Sequence, residues 1–113
     1  MEEDWESYVA IWTSLDICMY CERIMKEQPK RGKAPLTRTK DHIIPKSLGG
    51  DLSRYNKLHC CYACNHNKGN LTLKEWREKL LVSDFPDKEL IISNIERIAH
   101  CSNIFYKPLL NTP

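Results

Sequence analysis

Two Cys-x-x-Cys pairs, set forty residues apart, place the strongest constraint on how this chain can fold. Cys18 and Cys21 form the first pair, and Cys61 and Cys64 form the second. A Cys-x-x-Cys turn presents two thiolates from one tight bend, and zinc prefers four such ligands in a tetrahedron. The spacing therefore predicts a structural zinc site that clamps two distant parts of the chain together.

Two of the six cysteines, Cys60 and Cys101, fall outside this predicted ligand set. Cys60 is the alternative ligand to Cys61, although Cys60-x-x-x-Cys64 is the less usual spacing. Cys101 stands alone and is expected to be a buried thiol. Two pairs in one small basic domain argue against a redox dithiol, the other common use of this motif.

The start of the chain bears on whether these thiols are oxidised. Met1-Glu2-Glu3-Asp4 is acidic, and no apolar run of the signal-peptide kind follows it. No stretch approaches the ~20 apolar residues of a membrane span. We therefore expect a cytoplasmic protein, in which thiols stay reduced and paired cysteines more often bind metal.

The net charge of +2 hides an uneven distribution along the 113 residues. Residues 1–16 carry five acids and no base, whereas residues 17–79 carry fourteen bases and six acids. A basic centre favours a polyanionic partner such as nucleic acid, although a solvated charged surface has the same composition. The basic loop at residues 26–40 allows the same two interpretations, phosphate contact or solubility.

The length fits a single domain, residues 1–113. Apolar periodicity predicts an N-terminal helix at residues 3–15 within an N-terminal segment at 1–16. One face of this helix carries Trp5, Tyr8, Val9, Trp12 and Leu15. That face either packs on the core or offers its Trp rings for stacking on bases.

Turn signals organise the rest of the chain. Pro45 ends a predicted strand at residues 39–44, and Gly49-Gly50 marks the turn that follows. A second strand is predicted at 57–60, and the next helix stops at Gly69. A capping box, Thr72 with Glu75, opens another helix, and a last helix beginning near residue 84 buries one apolar face. The residues of these two helical faces are Trp76, Leu80, Leu81, Ile91, Ile95 and Ile98.

The dipeptide Asp41-His42 lies between the cysteine pairs. A histidine with a pKa near neutrality can take a proton from water, and a carboxylate can hold a hard cation such as Mg²⁺. Neighbouring residues on a strand point to opposite faces. A shared site therefore requires the strand to end or twist here, as Pro45 allows.

Several elements in one order give this dipeptide more weight. They are Cys18-Met19-Tyr20-Cys21, Asp41-His42-Ile43-Ile44-Pro45, Lys46-Ser47-Leu48-Gly49-Gly50, Asn56, and Cys61-Tyr62-Ala63-Cys64-Asn65-His66-Asn67-Lys68-Gly69. In this order they resemble the HNH endonuclease family, over residues 18–69. The resemblance implies an α+β fold with a small zinc-stapled ββα-metal core, an N-terminal helix, and a helical extension at 71–113 of two or more helices.

The resemblance also implies residue roles and partners. His42 would be the general base, and Asp41 would bind one catalytic Mg²⁺ or Mn²⁺. Asn65 would be the second protein ligand, where many members have His, and Asn56 would orient His42 through a hydrogen bond. The implied activity is hydrolysis of DNA phosphodiester bonds, nicking as a monomer and cutting both strands as a homodimer. Phosphates would be held by four basic residues, Lys68, Arg38, Lys40 and Lys46.

Three other interpretations remain open at this point. His66, next to Asn65, is the metal ligand if the register is shifted by one residue. The function could also be that of a zinc-stabilised DNA-binding module without nuclease activity, or of a protein-interaction domain that uses the N-terminal helix. The presence of Asp41, His42 and Asn65 together favours catalysis.

Overall fold

The computed structural model describes residues 5–49 and 56–102. Within these residues it contains one two-stranded antiparallel sheet and four α-helices, which confirms the predicted α+β class. In chain order they are α1 (Trp5–Ser14), β1 (Arg38–His42), β2 (Lys57–Cys61), α2 (Tyr62–Lys68), α3 (Leu73–Leu81) and α4 (Lys88–Ser102), with a 3₁₀ turn at Lys46–Leu48. Two predicted features, the turn residue Gly50 and the extension beyond residue 102, lie outside the described residues. Because α2 follows β2 without a loop, β1, β2 and α2 form one ββα unit.

Strand β1 ends at His42, two residues earlier than predicted. The backbone N–H groups of Ile43 and Ile44 donate instead to the Asn56 carbonyl and to Asn56 Oδ1, at 2.9 and 2.8 Å. The regular alternation of the strand therefore stops directly after Asp41 and His42. Asp41 and His42 can reach one site only if the strand ends or twists at this point, and the structure has such an end.

Helix α1 packs its aromatic face onto the core. Tyr8 is buried, and Val9 and Trp12 are partly buried against the core cluster. This favours the core interpretation of the face over base stacking. Leu15 departs from the prediction, since it follows the helix end and is 57% exposed. The side chain of Trp5 lies outside the described residues.

Helix α3 begins with the predicted capping box. The Thr72 hydroxyl accepts from the Glu75 N–H at 3.1 Å, and the Thr72 N–H donates to Glu75 Oε1 at 2.9 Å. Trp76 and Leu80 are fully buried, whereas Leu81 is exposed. The predicted apolar face of α3 is therefore one residue narrower than expected.

Helix α4 begins at Lys88, a few residues later than predicted. Its predicted apolar face is confirmed, because Ile91, Ile95 and Ile98 are fully buried. Helices α3 and α4 pack against each other and close the core behind the first cysteine turn. No helix in the described ranges combines the length and the apolar character needed to cross a membrane.

Candidate metal centre and adjacent cavity

The four predicted cysteine ligands lie together in the core. The sulfur atoms of Cys18, Cys21, Cys61 and Cys64 are all within 4.8 Å of one another, and all four residues are buried. A tetrahedral zinc with Zn–S bonds of about 2.3 Å separates its sulfurs by about 3.8 Å. The Cys21 and Cys61 sulfurs are 3.7 Å apart, close to this separation, so the four thiols are grouped closely enough to bind one zinc.

Local backbone geometry prepares the first cysteine turn. The N–H groups of Tyr20 and Cys21 both point at Cys18 Sγ, at 3.4 Å, which favours a thiolate there. Hydrogen bonds with Cys18 and with the other thiols lower the pKa of Cys61 and raise that of Cys64. Because zinc binds the deprotonated form, binding would release the remaining protons.

Cys60, the alternative ligand, lies outside the cluster. Adjacent residues of a strand face opposite sides, so β2 directs Cys61 toward the other three cysteines and Cys60 away from them. Cys60 Sγ lies 3.6 Å from Thr39 Oγ1, and burial raises the pKa of this thiol well above its usual value. Cys60 therefore remains a neutral core thiol.

A cavity of about 430 Å³ opens beside the end of β1. It brings together the three residues to which the sequence assigned the chemistry, Asp41, His42 and Asn65. Its remaining lining residues are Lys40, Pro45, Lys46, Ser47, Gly69 and Asn70. Strand β1, the turn after Pro45 and helix α2 thus each contribute one wall.

Asp41 is only 4% exposed and is held by two donors. The Tyr20 hydroxyl donates to Oδ2 at 2.7 Å, and the Lys68 ammonium lies 3.3 Å from Oδ1 and 3.2 Å from Oδ2. Burial raises the pKa of Asp41, while the Lys68 charge and the Tyr20 hydrogen bond act to lower it. Because the ammonium sits against the carboxylate, we regard Asp41 as ionised at neutral pH.

Lys68, for which a phosphate contact is predicted, lies inside the protein. Its side chain is fully buried, and its ammonium also donates to the His42 carbonyl at 3.1 Å. It thus ties the end of α2 to the end of β1. In the structure the ammonium contacts Asp41 and the His42 carbonyl. Its contact with a phosphate stays a prediction.

Among the described residues, no donor competes for the amide oxygen of Asn65. Its Nδ2 group donates to Thr39 Oγ1 at 3.0 Å and to the Lys40 carbonyl at 3.2 Å. These two bonds fix the orientation of the amide, and Oδ1 accepts no hydrogen bond within the described residues. An oxygen held in this way is suited to a hard cation.

His66 lies away from the cavity that Asn65 lines. It is exposed, and its ring stacks on Tyr62 with centroids 5.4 Å apart. The predicted register, with Asn65 as the ligand, therefore agrees with the geometry better than the register shifted by one residue.

The His42 imidazole makes no hydrogen bond within the described part of the chain, and its Nε2 atom is buried. The sequence predicted a bond from Asn56 to this ring. Instead, Asn56 is fully buried, and its side chain makes two hydrogen bonds with the backbone of Ile44. Oδ1 accepts from the Ile44 N–H at 2.8 Å, and Nδ2 donates to the Ile44 carbonyl at 2.9 Å. Asn56 therefore fixes the segment that follows His42.

The other predicted basic contacts divide into two groups. Lys40 and Lys46 are exposed and line the cavity. Arg38 forms an ion pair with Asp16, so part of its charge is satisfied within the chain. Sequence reasoning missed Tyr20 as a partner of Asp41, because an aromatic residue inside a Cys-x-x-Cys turn carries no signal of what it will reach.

Replacing Lys68 with methionine should destabilise the protein by about 3–5 kcal/mol, because it leaves the Asp41 carboxylate buried without its counter-charge. Lys26→Met is the matched control, since Lys26 is exposed and should change stability by about 0.5 kcal/mol or less. Urea unfolding of both variants with zinc present measures the difference. Equal effects of the two substitutions would show that the ion pair contributes no stability.

Comparison with known proteins agrees with the geometry of this site. A search of curated proteins gives no match. A family model described as HNH endonuclease matches residues 18–81, more than half of the chain. The match contains both cysteine pairs, the residues Asp41, His42 and Asn65 of the cavity, and helix α3, which the sequence motifs had not included. The chain therefore belongs to the HNH endonuclease family.

Proposed function

We propose that this protein hydrolyses phosphodiester bonds of DNA with the help of one divalent cation. The proposal rests on one observation, the meeting of Asp41, His42 and Asn65 in a single open cavity edged by Lys40 and Lys46. A carboxylate, an imidazole and an amide oxygen supply ligand and base functions, and the two ammonium groups supply charge that attracts phosphate. Membership of an endonuclease family adds to this support.

The donor atoms in the cavity fit a hard cation. Tyr20 and Lys68 each donate one hydrogen bond to the Asp41 carboxylate, which can still accept further bonds. Asn65 Oδ1 accepts no hydrogen bond within the described residues. Oxygen ligands of this kind are those that Mg²⁺ and Mn²⁺ accept. A cation bound there would neutralise the charge that develops on the phosphate and on its leaving 3′ oxygen.

The residues of the chain divide the remaining work. His42 removes a proton from the attacking water, since its imidazole makes no hydrogen bond within the described residues, and the new P–O bond forms as the bond to the 3′ oxygen breaks. The leaving 3′ oxygen takes a proton from solvent water, so the products are a 5′ phosphate and a 3′ hydroxyl. Lys40 and Lys46 hold phosphates at the cavity mouth, and Asn56 keeps the backbone after His42 in place. A monomer has one such site and nicks one strand, whereas a homodimer can cut both.

Supercoiled plasmid tests the proposal directly. The zinc-loaded protein should convert it to nicked circles when Mg²⁺ or Mn²⁺ is added to metal-depleted buffer, and should leave it intact without the addition. Zinc content is measured in both samples, so that an effect of removing Mg²⁺ or Mn²⁺ is distinguished from an effect of losing the structural zinc. Plasmid binding without nicking at any metal concentration would instead support a zinc-stabilised DNA-binding module.

Asn65→His should change which ion supports nicking. Imidazole suits transition metals better than an amide oxygen does, so the ratio of the nicking rate in Mn²⁺ to that in Mg²⁺ should rise by about tenfold, equivalent to ~1.4 kcal/mol. Glu78→His, exposed on α3 and outside the cavity lining, is the control. An unchanged ratio in Asn65→His would remove Asn65 from the ligand set.

A further inference from the structure

Tyr20 connects the cysteine cluster to the cavity. It lies inside the first Cys-x-x-Cys turn and is fully buried, yet its hydroxyl reaches the Asp41 carboxylate at 2.7 Å. A side chain placed between two zinc ligands therefore contacts, at its other end, the proposed ligand of the catalytic ion.

The position of Tyr20 is fixed from three directions. Its N–H points at Cys18 Sγ, and its carbonyl accepts from Asn94 Nδ2 on α4 at 2.8 Å. Its ring meets the Trp76 ring edge to face, with centroids 4.7 Å apart and an interplanar angle of 83°. The phenol hydroxyl donates to Asp41, since carboxylate oxygens only accept.

The two donors to Asp41 differ in what they specify. The Lys68 ammonium lies at nearly equal distances from Oδ1 and Oδ2, 3.3 and 3.2 Å, and so distinguishes poorly between the two oxygens. Tyr20 donates to Oδ2. It therefore sets the rotation of the carboxylate and leaves Oδ1 as the less occupied oxygen.

We propose that Tyr20 is a positioning residue, which presents Oδ1 of Asp41 to the catalytic cation. This inference rests on the proposed function, because it concerns the ion that Asp41 binds there. Hydrogen-bonding partners of metal ligands typically change metal affinity or activity by about 10- to 100-fold when they are removed.

Tyr20→Phe removes the hydroxyl and keeps the ring against Trp76. We expect this variant to retain about one zinc per chain, as the four-cysteine cluster requires. We expect its Kd for Mn²⁺, measured on the full zinc-loaded chain from the electron paramagnetic resonance signal of free Mn²⁺, to rise about 10- to 100-fold. The Mn²⁺ concentration for half-maximal nicking should rise in parallel, and the rate at saturating Mn²⁺ should stay within a few-fold of wild type.

Tyr62→Phe is the matched control. It also removes one phenol hydroxyl, but Tyr62 lies outside the cavity lining and its hydroxyl makes no hydrogen bond within the described residues. Its Mn²⁺ affinity should equal that of the wild type. Asp41→Asn supplies the reference for a damaged site.

Each other outcome has a distinct meaning. If Asp41→Asn weakens Mn²⁺ binding and Tyr20→Phe does not, the positioning role is overturned while the proposed function stands. If the wild type binds Mn²⁺ no better than Asp41→Asn, the proposed catalytic site and the role of Tyr20 both fall. Loss of zinc from Tyr20→Phe would assign the hydroxyl to folding of the turn and would also overturn the proposal.

Discussion

Replacing Cys61 with serine will unfold the protein, whereas the same change at Cys60 will leave it folded and zinc-bound. Cys61 contributes one of four clustered sulfurs, while Cys60 lies on the other face of β2. Structural zinc sites in small domains supply about 10–16 kcal/mol of apparent binding free energy. Since the whole stability of a domain is only about 5–15 kcal/mol, weakening this site removes most of it.

The expected cost at Cys60 is far smaller. Cys60→Ser replaces a buried thiol with a hydroxyl. This hydroxyl can donate a hydrogen bond to Thr39 Oγ1, which lies 3.6 Å from the Cys60 sulfur in the wild type. A change of about 1 kcal/mol is typical of such single substitutions. Zinc content and thermal unfolding by circular dichroism, measured on both variants, decide the matter. Unfolding of Cys60→Ser with an intact Cys61→Ser would contradict the assigned ligand set.

Features with a local sequence signal were predicted well. The capping box at Thr72 and Glu75, the stop of α2 at Gly69 and the isoleucine face of α4 each depend on residues a few positions apart. The zinc cluster was also predictable, because the metal imposes its own geometry on two short motifs. These features depend on nearby residues or on the geometry of the metal, so they can be predicted without knowledge of the tertiary fold.

Features that depend on distant contacts were not predicted. The partners of Asp41 come from 21 residues before it, Tyr20, and from 27 residues after it, Lys68. Lysine is almost never fully buried unless it is paired, so the burial of Lys68 against Asp41 could not be predicted without knowing that the two residues meet. The end of β1 was misplaced for the same reason, since Asn56 draws the backbone of Ile44 out of the ladder.

The proposed function depends most on His42, which would activate water for attack on phosphorus. A positioned general base contributes about 10²- to 10⁴-fold in rate, so His42→Ala should slow nicking by that factor with Mg²⁺ saturating. The structure supports a specific effect, because the imidazole lines the cavity and its side chain makes no hydrogen bond within the described residues. Removing the ring should therefore leave the fold and zinc content unchanged.

His66 supplies the matched control for this substitution. It is exposed on α2, outside the cavity lining, and stacks on Tyr62. His66→Ala should nick at the wild-type rate. It also tests the shifted register, in which His66 rather than Asn65 would bind the ion.

The most direct measurement is the initial rate at which nicked circles form from supercoiled plasmid, compared among wild type, His42→Ala and His66→Ala. Each protein is zinc-loaded, assayed at saturating Mg²⁺ and checked for equal plasmid binding. We expect a loss of about 10²- to 10⁴-fold for His42→Ala alone. Nicking by His42→Ala at the wild-type rate, or a comparable loss in His66→Ala, would contradict the role of His42 as general base.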